Sequence, residues 1–530
     1  MAKKFVMSTT EPIVETKFGK LRGFIVDGTY TFHGIKYADA ERFQMPHDPK
    51  SWKGVKDCDS YGFVCPMLSP ETASGELKVP HRYWPKSEHC QYLNIWSPSI
   101  DKNAKKPVML WLHGGGFAAG SSIEQVAYDG ENLSKFGDVV VVSLNHRLNI
   151  LGYLDLSPFG EKYKNSGNAG NADMVAALKW IHENIEGFGG DPDNVTIFGQ
   201  SGGGMKVWTL MNTPAADGLF HKGVVESGLI RSFVNPAANQ NGTDIVKALL
   251  DELGFAEDEV EKLETVPYEM LAEAYNRVSP ALAAEGKYTG GNPMPNEWYV
   301  GDPLVSGFTE HAKTIPVMIG TVFGEFAFGP GIPHKYDLTE DEIMEKIRAY
   351  YKKGNVDELV ALFKKAYPDK NLSDLISLDS IFRAPTIDFI AAKSKHQESP
   401  TYSYLFTYEF PYDDGKTAWH CSEIPFVFHN TDKVVICNKP GVSDELEEKM
   451  AGAWVNFAKT GNPNYGTLPE WPACTDGDEA TMIFDEKCEV RHNFDHELVA
   501  LHEKSSPSFF ELFRPKKNED GEEEEFVILH

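Results

Sequence analysis

Short runs of β-branched and aromatic residues recur along the chain with helical segments between them, and this alternation restricts the fold more than any other feature. The runs are PVMLWL from Pro107, VVVVSL from Val139, NVTIF from Asn194, KGVVES from Lys222, IPVMIGTV from Ile315 and YSYLFTYEF from Tyr402. Between two of them, residues 171 to 186 place Met174, Ala177, Leu178, Ile181 and Ile185 on one stripe at helical spacing, and Gly187 follows as a stop. Parallel neighbours need a crossover, normally a helix. The pattern therefore predicts an α/β fold with a large, mostly parallel, twisted central sheet covered by helices on both faces.

From Asp337 to Lys395 the pattern becomes helical and charged, which predicts a helical layer over residues 337 to 395 that either frames a pocket or only covers the sheet. The chain of 530 residues is long enough for several domains, but it has no internal repeat and no Pro/Ser linker. It reads as one domain over residues 1 to 514, followed by an acidic, solvated tail over 515 to 530.

Charge then removes whole classes of function. With 51 Lys+Arg against 78 Asp+Glu the net charge is -27, which repels nucleic acid and anionic membrane surfaces. The amino-terminal residues lack an apolar signal-peptide core, and no run reaches membrane-spanning length, so the expectation is a cytoplasmic protein with no integral membrane segment. The seven cysteines show no CxxC spacing, so neither a disulfide scaffold nor a zinc site is indicated.

The stretch NVTIFGQSGGGMKV, Asn194 to Val207, admits three chemical readings. A phosphate loop needs Lys-Ser or Lys-Thr directly after its second glycine, but here Met205 precedes Lys206 and Val207 carries no hydroxyl. A dinucleotide site built on the second cluster, HGGGFAAG from His113, needs an acidic residue at the end of the next strand, where Asn145 and His146 stand instead. The third reading joins the two clusters. Ser201, in G-x-S-x-G over Gly199 to Gly203, sits on a sharp strand-to-helix turn as a nucleophile, and glycines relieve the crowding. The His113-Gly-Gly-Gly loop then presents the amides of Gly115 and Gly116, joined by the Gly202 amide, to an oxyanion.

Several long motifs, running in order from about Lys20 to Pro507, resemble the type B carboxylesterase/lipase family of α/β-hydrolases, the group of cholinesterases and bacterial carboxylesterases. They include FHGIKYADAERF, SEHCQYLNIWSP, LWLHGGGF, NHRLNILGYL, the long run from Gly167 ending in FGQSGGG, FHKGVVESG, HCSEIPFVF and WVNFAKTGNPN. The resemblance implies an α/β-hydrolase fold with helical insertions around the active site and a catalytic triad of Ser201, Glu325 and His420. It also implies that Ser227 supports the acid and base, although a plain structural serine fits the sequence equally well. His429, nine positions beyond His420, is the competing histidine, and His113 is read as holding its glycine loop.

This chain departs from the family in places. Gln200 and Gly202 replace the glutamate and alanine of the usual G-E-S-A-G elbow, and FGEF around Glu325 differs from the usual surroundings of the acid. Trp84 lies between Cys65 and Cys90, which match a family cysteine pair, but it is read as packing and not as a cation platform; the two cysteines are expected as thiols. The implied activity is hydrolysis of small-molecule carboxylic esters through an acyl-enzyme, with no cofactor and no metal, in a monomer or small homo-oligomer. Alternatives are a lipase or amidase using the same triad, and a non-catalytic binding protein.

Overall fold

The computed structural model describes residues 3–70, 77–231, 240–329, 331–413 and 415–506. The acidic tail expected over 515 to 530 lies outside them. The chain divides into two compact units: Met1–Glu71, Arg82–Val224 and Phe233–Ile315 form one, and Thr72–His81, Val225–Ser232 and Pro316–His530 form the other.

In the first unit the strands lie in the spatial order Phe5–Val6, Phe24–Val26, Thr29–Lys36, Tyr92–Ser97, Val140–Leu144, Lys106–Leu112 and Gly190–Gln200. Lys106–Leu112 runs parallel to both of its neighbours, whereas the strands outward from Tyr92–Ser97 pair antiparallel. Residues 108 to 112 and 140 to 144 are wholly buried, as expected of parallel strands covered on both faces. The antiparallel strands were not singled out in the sequence, because their polar and apolar residues mix.

The predicted helical stripe forms the helix Ala169–Asn184, and Met174, Ala177, Leu178, Ile181 and Ile185 are all buried. The α-helix ends at Asn184, before the expected stop at Gly187. The chain tightens into a 3-10 turn over Ile185–Phe188, and Gly189, at φ +78°, ends it in the left-handed conformation. Gly187 is small for another reason: a Cβ there would approach Val14 Cγ1 to 2.8 Å.

In the second unit Val317–Val322, Thr401–Phe406 and Ala480–Phe484 pair parallel, and Glu489–His492 closes the edge antiparallel. The predicted helical layer consists of Glu340–Tyr350, Val356–Ala366 and Arg383–Lys393. Thr339 caps the first through a capping box with Glu342, and the Asn355 side chain caps the second. Ile343, Ile347, Leu359 and Phe363 from these helices pack with Phe323, Leu405 and Ile483 in one apolar cluster. Among the described residues no helix is long and apolar enough to cross a membrane.

Candidate active site

In the first unit the Gly190–Gln200 strand delivers Ser201 directly into the helix Gly202–Met211. Ser201 has φ +58° and ψ -123°, a conformation side chains rarely adopt and one that lifts the residue out of both elements. The flanking glycines are required by contact. A Cβ at Gly199 would lie 2.5 Å from the Leu112 carbonyl oxygen, and one at Gly203 would lie 2.0 Å from the same atom. Only bare backbone lets the turn rest on the end of the Lys106–Leu112 strand.

The second glycine cluster follows that strand. Gly115 and Gly116 have φ +81° and +61°, and the Gly115 carbonyl accepts the Ala118 and Ala119 amides at 3.2 and 2.9 Å, closing a tight loop. This loop meets the elbow: a Cβ at Gly202 would fall 2.3 Å from the Gly116 nitrogen and oxygen. The replacement of the family's alanine by Gly202 is thus matched to a glycine loop too close to admit a methyl group. Gln200 is buried beneath the same loop, since a Cβ at Gly114 would lie 3.2 Å from the Gln200 carbonyl and 3.5 Å from Ser201 Cβ.

His113 is buried with Nδ1 2.9 Å from the Gly114 carbonyl, and burial pushes its pKa well below the usual value. Burial thus disfavours its charged form, and the ring is engaged with its own loop. Its carbonyl accepts a hydrogen bond from Lys206 Nζ at 2.7 Å, a contact the sequence reading missed because Lys206 was weighed only as a phosphate ligand. Trp84 donates Nε1–H to the Tyr61 carbonyl at 3.2 Å and packs edge-on against the Tyr61 ring. Cys65 and Cys90 are buried free thiols.

The second unit holds the other candidates. Glu325 follows the Val317–Val322 strand and is wholly buried. Its Oε2 lies 2.5 Å from His420 Nδ1, while Oε1 accepts the Ser227 hydroxyl at 2.6 Å and the Val322 amide at 3.0 Å. Backbone bonds fix both partners: His420 N–H donates to the Glu325 carbonyl at 3.0 Å, and Ser227 N–H to the Gly320 carbonyl at 2.8 Å. The His420 ring stacks on Phe382 at 5.0 Å and meets the edge of Phe328 at 6.3 Å. His429 faces a different acid, with Nδ1 3.6 Å from Glu447.

Three further buried acids belong to this unit, none singled out in the sequence. Glu226 accepts Trp454 Nε1–H at 2.7 Å on one oxygen, and burial pushes its pKa up to about 8. Among the described residues no side chain or backbone group of another residue bonds either carboxyl oxygen of Glu423, and burial, with Glu325 and Glu226 nearby, holds its pKa well above the carboxylate range. Asp379 accepts the amides of Ile381, Phe382 and Arg383 at 2.9, 3.0 and 3.0 Å, yet burial and the nearby Glu325 raise it to about 7. Glu226 stands beside Ser227 in VVESG and Glu423 inside HCSEIPF, so the signal lay within motifs already noted. A cavity of about 300 Å³ also lies in this unit, lined by Phe326, Ile332, Tyr350, Leu378 and Ile381 among others.

The family model described as the Carboxylesterase family matches residues 10–501. A solved esterase from Clostridium hathewayi, described as able to hydrolyse aliphatic aromatic polyesters, is 56% identical with a TM-score of 0.91, covering 95% of this chain and 100% of that one. The para-nitrobenzyl esterase of Bacillus subtilis is 34% identical over 497 residues, 91% of this chain and 97% of its own. A carboxylesterase from Geobacillus stearothermophilus, 32% identical with a TM-score of 0.69, covers 93% of this chain and 100% of its own.

Proposed function

The chain belongs to the carboxylesterase family, has the α/β-hydrolase fold and is a carboxylic ester hydrolase; from that premise we propose that Ser201, His420 and Glu325 form its catalytic triad. The observation that carries this reading is the hydrogen-bonded chain Ser227–Glu325–His420, in which a buried carboxylate has one oxygen committed to the histidine and the other held in place. A histidine so oriented presents Nε2 as a general base, the role a serine nucleophile requires.

Ser201 Oγ attacks the ester carbonyl carbon and passes its proton to His420 Nε2. The carbonyl oxygen, now anionic, accepts the amides of Gly115, Gly116 and Gly202. Collapse breaks the bond to the alcohol oxygen, which leaves with the proton from His420, and Ser201 remains acylated. Water then attacks the acyl carbon, His420 takes its proton and returns it to Ser201 Oγ, and the carboxylic acid departs. Gln200 supports the glycine loop from below.

For substrate class, the polyester-hydrolysing and para-nitrobenzyl esterase relatives support small aryl and aliphatic-aromatic esters. The test is a panel of p-nitrophenyl and aryl esters varied in acyl length, with matched amides alongside and Ser201→Ala as control. Activity on esters, absent from Ser201→Ala and accompanied by fluorophosphonate labelling of the native serine, is the expected result. Wild-type turnover by Ser201→Ala would overturn the triad.

A further inference from the structure

Lys206 is the fifth residue of the elbow helix and is wholly buried. Removal from water opposes an ammonium there. Its Nζ donates to the carbonyl of His113 at 2.7 Å, the residue from which the glycine loop springs. The groups facing it give little compensation. His113 and His146, at the ends of adjacent strands, are both buried with pKa values pushed well below normal, by burial first and then by Lys206 itself. Glu124 is the carboxylate whose field favours the ammonium, while Arg147 adjoins His146 with the same sign of charge. Burial accordingly brings Lys206 down to about 7.

The contact joins two elements that must keep register. Gly202 opens the elbow helix and packs against Gly116 with no room for a methyl group, and Lys206, one turn further along that helix, holds the start of the same loop. We propose that Lys206 is a positioning residue for ester hydrolysis, clamping the His113–Gly116 loop to the nucleophile's helix and placing a buried positive charge behind the oxyanion site. The inference rests on the assignment of Gly115, Gly116 and Gly202 as oxyanion donors. Its chemistry is differential: a charge behind the hole matters most when the carbonyl oxygen becomes anionic, and little to the ground-state ester.

The test compares wild type, Lys206→Met and Lys206→Gln for kcat and KM on a p-nitrophenyl ester, thermal unfolding, and inhibition by a trifluoromethyl ketone, which adds to the serine and loads the oxyanion site. Methionine preserves much of the volume and removes a buried charge, so Lys206→Met is expected to fold with an unchanged or raised Tm. Its kcat should fall about 10- to 100-fold with KM within about twofold, and ketone affinity should fall by a similar factor. In the wild type, kcat should bend downward above about pH 7 as the ammonium loses its proton, and the bend should vanish in Lys206→Met. A folded Lys206→Met with wild-type kcat, ketone affinity and pH profile overturns the inference. If neither variant folds, the wild-type pH dependence of ketone affinity decides, and a flat profile across pH 6 to 9 overturns it. Ser201→Ala separates the two levels: an inactive Ser201→Ala beside an unaffected Lys206→Met sinks this inference alone, whereas an active Ser201→Ala sinks the triad and this inference with it.

Discussion

Ser227 donates its hydroxyl to Oε1 of Glu325 at 2.6 Å, and His420 Nδ1 lies 2.5 Å from the other oxygen. The carboxylate is thereby held at both ends, and Ser227, at φ +44° directly after the buried Lys222–Glu226 strand, is itself tied by its amide to the Gly320 carbonyl at 2.8 Å. Removing the hydroxyl leaves Oε1 with the Val322 amide at 3.0 Å as its remaining bond and so loosens Glu325. Ser227→Ala is expected to lower kcat roughly 10- to 100-fold with little change in KM, because misplacement of a catalytic group by a fraction of an ångström acts on the transition state. Steady-state kinetics on one soluble ester checks this.

Glu325→Gln keeps the shape of the side chain and removes its charge, so the imidazolium formed during attack would face a neutral amide. The expected loss in kcat is about 10³- to 10⁴-fold. A smaller loss than that of Ser227→Ala would point to a different acid.

The Gly116–Gly202 contact predicts an unusual intolerance. Restoring the family's alanine with Gly202→Ala places a methyl 2.3 Å from the Gly116 backbone, which can yield only by moving the loop. With the Gly116 and Gly202 amides as the proposed oxyanion donors, loss of one from register is expected to lower kcat roughly 100-fold. Thermal unfolding of the same variant separates a displaced loop from a failure to fold.

Glu226 makes stability depend on pH in a stated direction. Its folded pKa is raised from about 4.5 to about 8, so between these values the unfolded chain has lost the proton and the folded chain keeps it. Its contribution is fully present below about pH 4.5, falls as pH rises and is lost above about pH 8. Buried Glu423, raised in the same direction, adds to the slope. Glu226→Gln keeps an oxygen for Trp454 and cannot ionise; its Tm should exceed that of wild type by a few degrees at pH 8.5 and match it near pH 5. Scanning calorimetry across that range reads the difference, and parallel curves would refute the assignment.

Arg383, at the start of its helix, bonds Asp495 through Nε and Nη2 and Glu479 through Nη1, each at 2.8 Å, in a site almost closed to water. Truncation leaves two buried carboxylates without their cation. Arg383→Ala should therefore destabilise by about 3 to 5 kcal/mol, measured by denaturant unfolding of the full chain.

Some of this was legible in the chain itself. PVMLWL, VVVVSL and IPVMIGTV read as buried strands of a largely parallel sheet because nearly continuous apolar runs suit sheets covered on both faces, and each forms a buried strand with a parallel neighbour. The thirteen residues from Asn194 to Lys206 carried strand, glycines and helix in register, since an elbow is a local structure fixed by neighbouring residues. Glu325 and His420 were located by motif alone; their bond joins positions 95 residues apart, which no local pattern encodes.

The sequence by itself determined the strand-and-helix alternation, the elbow at Ser201 and the chemistry available to it, because each depends on residue type and short spacing. Tertiary structure alone decided why residue 202 is glycine, what Lys206 holds and which acids surround Glu325. The reason is physical: steric exclusion, desolvation and the pairing of buried charges act through space between distant segments, and these forces have a sign only once the neighbours are in place.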